Sequence, residues 1–117
     1  SWSKAEGMKA MTLWLSFFPE INGVVAGNDE MALGAIQALK AANRLEGCLV
    51  SGVDATPSGL AAVRSGELSQ TIQQDAEGQA AGAVSLVKAF LDGKAPTESL
   101  DIPFTSITQD NIAQFSK

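Results

Sequence analysis

The sequence predicts an α/β fold, a parallel sheet with helices on both faces. Three observations point there. Short apolar runs of strand length (residues 23–26, 48–53 and 69–73) alternate with stretches patterned at helical spacing. Helix start and stop signals separate them. Strands that alternate with helices imply right-handed crossovers, and those make neighbouring strands parallel.

Each element has its own signal. Ser3 and Glu6 form a capping box, so a helix should open there. Met8, Met11, Leu15 and Phe18 recur at helical spacing beside Trp14, and Pro19 ends the helix. Trp14, Phe17 and Phe18 are expected in the core or at an interface. Residues 23–26 then read as a short buried strand. Asp29 and Glu30 place negative charge at the start of the next helix, which runs to about Lys40, with Asn43 as a stop. The second strand, residues 48–53, ends at Asp54. Thr56-Pro57 supplies an N-cap and a proline at the first helical position. That helix stops at Ser65-Gly66, and the third strand ends at Gln74. A long helix from about Glu77 to Leu91 stops at Asp92-Gly93. Residues 93–96 look like the one linker. Pro96 and Pro103 flank a last extended segment, Glu98 and Asp101 read as solvated charges, and residues 108–115 suggest a final short helix.

Composition excludes several classes of function. The chain has 117 residues, 45% of them hydrophobic, which suits one packed domain. A formal charge of −5 and the lack of any basic cluster argue against nucleic acid and anionic membranes. No apolar stretch nears the ~20 residues of a membrane span. No signal peptide is visible. Cys48 stands alone, so no internal disulfide forms, and it reads as a small buried hydrophobe. With no His and no second Cys, a zinc site and the usual Ser-His or Cys-His pairs are absent. Neither a dinucleotide fingerprint, a P-loop nor a G-x-S-x-G elbow occurs. No cofactor is called for, and an enzyme is not expected.

In open α/β sheets, ligands bind beyond the carboxyl ends of the strands. Here those ends carry Asn28, Asp54 and Gln74. A carboxylate accepts from two neighbouring hydroxyls, and amides both donate and accept, so the trio suits a polyol. Each also has an ordinary role open to it: Asn28 as a helix cap, Asp54 as a turn residue, Gln74 as a solvated strand end. Trp2 is a fourth candidate, because the C–H face of a sugar ring packs on indole.

Three segments resemble a known family. VVAGNDEMALGA (residues 24–35) resembles the ANDEMALGA signature of type I periplasmic sugar-binding proteins of ABC transporters. SGVDATP (residues 51–57) is similar to their GxDxTP turn, and GELSQTIQQ (residues 66–74) to their GxLxATVAQ strand. The ribose-binding branch is the nearest. The resemblance implies that Asn28, Asp54 and Gln74 hydrogen-bond the sugar and that Trp2 stacks on it. Val53 departs from the Phe common before the Asp. The resemblance also implies that residues 1–75 are part of the C-terminal ligand-binding lobe. Residues 76–117 would be the crossover helix and tail that pack on an N-terminal lobe without counterpart here. The implied function is capture of a monosaccharide or polyol for the membrane subunits of an ABC importer, in the periplasm or outside the cell. This fragment alone should bind weakly and self-associate through the apolar stripe of Ala81, Val84, Val87, Phe90 and Leu91. The effector domain of a LacI-type repressor shares the fold and is the alternative reading. The ATPSGL continuation and the QTIQQD segment favour the transport protein. A receiver domain is disfavoured by Gln74, which stands where a Lys would be expected.

Overall fold

The computed structural model describes residues 2–94 and 99–115. The expectations placed on Pro96 and Glu98 fall outside the described residues. The chain divides into two compact units. One takes in the residues up to Gln73 and those from Ser106 onward, and the other is Gln74–Thr105.

The first unit begins with α1 (Lys4–Phe17), capped by Ser3, whose hydroxyl accepts from Glu6 N as the capping box predicts. β1 (Gly23–Val25), α2 (Asp29–Ala41), β2 (Leu49–Val53), α3 (Pro57–Ser65) and β3 (Gln70–Gln73) follow. Thr56 caps α3 through Gly59 N, with Pro57 at the first position, and Gly66 closes the helix at φ 78°. β4 (Thr105–Ile107) and a 3-10 helix (Ile112–Phe115) complete the element order. The sheet runs β1-β2-β3-β4, with parallel pairing of β1 to β2 and of β2 to β3. The α/β class and the parallel sheet are therefore as the sequence predicts.

Register decides which strand residues face the helices. Val24 pairs with Val50, and Gly52 with Thr71. Val50, Gly52 and Thr71 are buried, and they share one sheet face with α2 and α3. Ala32, Ala35, Ile36 and Leu39 of α2 complete the core with Met11, Val63 and Leu68. On the opposite face Val25 is 90% exposed and Leu49 70%. The expected buried first strand is thus an edge strand, covered on one face only within this unit.

α1 lies on α2 through two glycines. A Cβ on Gly34 would sit 2.0 Å from Lys4 O, and one on Gly7 would sit 2.3 Å from Met31 O. Met11 fills the seam. Of the core or interface placement expected for Trp14, Phe17 and Phe18, the core half does not hold: they are 47%, 71% and 54% exposed. So tight a backbone approach leaves room for one arc of α1, and the aromatics project elsewhere. Arg44 secures the end of α1 by donating to the carbonyls of Phe18 (3.1 Å) and Pro19 (2.7 Å). Phe18 is the C-cap of α1, and its carbonyl is one that a helix end leaves unpaired. Cys48 is buried, as expected.

The second unit is built on α4 (Ala76–Leu91), capped by Asp75, which accepts from Gly78 N at 3.0 Å. Leu100 lies against Gly82, the one buried residue of α4. Val84, Val87, Phe90 and Leu91 are 59–77% exposed. The sequence reading treats residues 76–117 as one segment. The structure instead returns the chain to the first unit at Ser106, where Ile107 is fully buried.

Candidate functional site

β1 and β2 end side by side. Val25 pairs with Ser51, and three residues further along each strand stand Asn28 and Asp54. Asn28 is the N-cap of α2: its Oδ1 accepts from Met31 N at 2.9 Å. Its Nδ2 donates to the Trp2 carbonyl at 3.2 Å. The capping role open to Asn28 in the sequence is thus filled, and the same amide ties down the chain just before α1. Trp2 is 72% exposed, and its indole lies on Gly27, where a Cβ would meet ring carbon Cζ3 at 2.6 Å. The absence of a side chain at Gly27 is what lets the ring lie beside Asn28.

Asp54 is exposed and carries φ 105°, and Ala55 follows at φ 53°. Two successive non-glycine residues in the left-handed region are costly, on the order of 1–3 kcal/mol each. Four hydrogen bonds hold them. Asp54 N donates to Ile72 O (2.9 Å) and Ala55 N to Thr71 Oγ1 (3.2 Å). Thr56 N and Thr56 Oγ1 both donate to Asp29 Oδ2, at 2.8 and 3.1 Å.

Asp29 is the residue that sequence reasoning missed. Its place in the sequence suggests only a helix-dipole role, yet it is fully buried. Besides Thr56, it accepts from Thr71 Oγ1 at 2.6 Å. One carboxylate therefore joins the start of α2, the turn after β2 and strand β3. Gly52 and Gly59 make the space, since a Cβ on either would lie within 2.3 Å of an Asp29 carboxyl oxygen. Two glycines and two threonines around one acid are a pattern a sequence shows only once the chain is folded.

Gln74, the last of the strand-end trio, opens the second unit directly after β3. It is exposed, and its carbonyl accepts from Gln79 Nε2 at 3.0 Å. Within the first unit the Asn28 amide holds the Trp2 carbonyl, and Asp29, next in sequence, holds Thr56 of the turn that follows Asp54. Among the described residues no group of three His, Cys, Asp or Glu stands close enough to hold a metal ion. No described helix is long and apolar enough to cross a membrane.

Residues 1–95 match the family model described as periplasmic binding protein domain. A rhizopine-binding protein of Rhizobium meliloti is 43% identical over 98% of this chain and 38% of its own length. A ribose import binding protein of Salmonella typhimurium is 37% identical over 78% of this chain and 30% of its own. An ABC transporter solute-binding protein of Bacillus halodurans, solved with bound myo-inositol, superposes with TM-score 0.85 at 42% identity, over 98% of this chain and 40% of that one. The chain thus spans well under half the length of each of these relatives.

Proposed function

The chain belongs to the periplasmic binding protein domain family, and on that premise we propose that it is part of the C-terminal lobe of an ABC importer's solute-binding component. The ligand in this reading is a monosaccharide or a cyclic polyol, held between two lobes. Trp2 supplies an apolar platform, and Asn28, Asp54 and Gln74 read its hydroxyls.

One observation carries the proposal. Asp54 is kept in a strained left-handed conformation at a strand end, with its side chain exposed, in the same edge as Asn28 and Trp2. Strain of this kind gathers at ligand sites, where the surroundings enforce it. An exposed carboxylate is of little use to a core, whereas it can accept from two adjacent ring hydroxyls. None of these groups is paired with a base, so the arrangement suits recognition and not turnover.

The same exposure explains why this chain should bind weakly by itself. Hydrogen bonds at the exposed Asp54 and Gln74 are exchanged against water, and their net worth is small until a second surface closes over the ligand. In this reading the first unit, which includes the segment from Ser106 onward, is part of the ligand lobe, and α4 belongs to the crossover between lobes. The complete protein would work in the periplasm or outside the cell and present its closed form to the importer's membrane subunits.

The test is a thermal-shift panel of pentoses, hexoses and polyols. It is run on this chain and on a two-lobe chimera in which the chain replaces its counterpart in the rhizopine-binding relative. A ligand at a hundred times its dissociation constant adds about 2.7 kcal/mol to the native state. One sugar or polyol should stabilise the chimera, and Asp54→Ala should remove the effect. A chimera that folds and responds to none of them refutes the reading.

A further inference from the structure

We propose that Asp29 is the positioning residue of the ligand edge. With Thr71, its buried carboxylate holds the Asp54–Ala55 turn in the left-handed conformation that aims Asp54 outward. The inference rests on the reading of Asp54 as a ligand group, but its geometry is independent of any ligand.

The hydrogen bonds form a directed chain. Ala55 N–H donates to the Thr71 hydroxyl, and that hydroxyl donates to Asp29 Oδ1. Thr56 donates both its amide and its hydroxyl to Asp29 Oδ2. The Thr56 hydroxyl in turn accepts from Gly59 N, the first-turn amide of α3. The two amides that follow the strained Asp54 are therefore both held from one point. Relaxing either residue to an ordinary φ would turn those amides away from Thr71 and Asp29, which are both fully buried. A buried donor or acceptor left without a partner is costly, so the left-handed turn is the cheaper state.

Asp29 also follows Asn28 directly, and Asn28 holds the Trp2 carbonyl. The acid that fixes Asp54 thus sits next in sequence to the amide that fixes Trp2. A helix-dipole role alone would be met by an acid that is only half-buried, as Glu30 shows, and would require neither full burial nor the glycines at positions 52 and 59.

The experiment is amide hydrogen exchange and three-bond coupling measurement by NMR on the 117-residue chain, with Asp29→Asn, Thr71→Val and Thr71→Ser. Thr71→Val keeps the volume and removes the hydroxyl. The expected result is loss of the positive-φ couplings at Asp54 and Ala55, with at least roughly tenfold lower protection of the Ala55 and Thr56 amides. Core amides such as that of Leu39 should be unchanged. Thr71→Ser should restore the native pattern, which a mere packing role for Thr71 would not produce. Unchanged couplings and protection at residues 54–56 in Thr71→Val overturn the proposal, as does a loss spread evenly over the core. In the two-lobe chimera, Thr71→Val should also weaken polyol binding about tenfold, ~1.4 kcal/mol. If Asp54→Ala leaves binding intact while the turn responds as described, the ligand reading fails and the positioning role stands.

Discussion

Replacing Gly34 with Ala should separate α1 from α2. The added Cβ would lie 2.0 Å from Lys4 O and 2.7 Å from Met8 N. Both are backbone atoms, so no rotamer change relieves the clash. Ordinary contact needs roughly 1.5 Å more, which α1 can give only by moving as a body. Met11, fully buried in the seam, then loses part of its packing. Overpacking of this kind costs about 1–3 kcal/mol, and the backbone character of the clash puts this case at the upper end. Alanine returns up to ~1 kcal/mol through its better helix propensity. A net loss of about 2 kcal/mol follows, or a melting point lower by roughly 8 °C in a domain of this size. Circular dichroism melts and urea titrations measure it. The displacement also moves Trp2 away from Asn28, so the indole fluorescence should change in the folded state. A melting point equal to or above that of the parent would refute the reasoning, because propensity would then outweigh the contact.

Three further outcomes follow from the same geometry. Asp54→Gly removes a side chain from φ 105°, so stability should hold or rise by up to ~1 kcal/mol despite the flexibility of glycine, while any polyol response vanishes. A loss above that size would mean the turn is not strained. Burial pushes the Cys48 thiol above its ordinary value of 9.0, with Arg44 pulling the other way. The neutral thiol therefore contributes in full below the unfolded value, and its contribution is lost as pH rises through the folded one. Melting points should fall more steeply above about pH 9 in the parent than in Cys48→Ala, and parallel curves would contradict this. Finally, the exposed Val84, Val87, Phe90 and Leu91 of α4 should drive self-association. Sedimentation velocity should show a concentration-dependent mass that Val87→Lys reduces, and a clean monomer at the highest concentration would end that idea.

Much of the fold was legible because its signals are local. The Ser3–Glu6 box, the Thr56-Pro57 start and the Gly66 stop each act within one turn of chain, and all three stand where the residues place them. The strand ends carrying Asn28 and Asp54 were equally readable, since apolar runs and polar stops need no tertiary information. The face of a helix that meets the core is a different matter. Met11 and Phe18 both fit the helical period, yet one is buried and the other exposed. That choice was made by glycines 27 residues apart, Gly7 and Gly34, which bring α1 and α2 together.

The amino-acid sequence by itself determined the order of elements, the parallel α/β class and the family, because periodicity, caps and contiguous motifs are properties of neighbours along the chain. Tertiary structure alone decided that β1 is an edge strand, that the Asn28 amide binds the Trp2 carbonyl, and that Asp29 lies buried beneath the Asp54 turn. These depend on residues up to 42 positions apart meeting through a shared carboxylate. A hydrogen bond of that reach leaves no periodic trace in the chain; it exists only where packing has excluded water and brought donor and acceptor together.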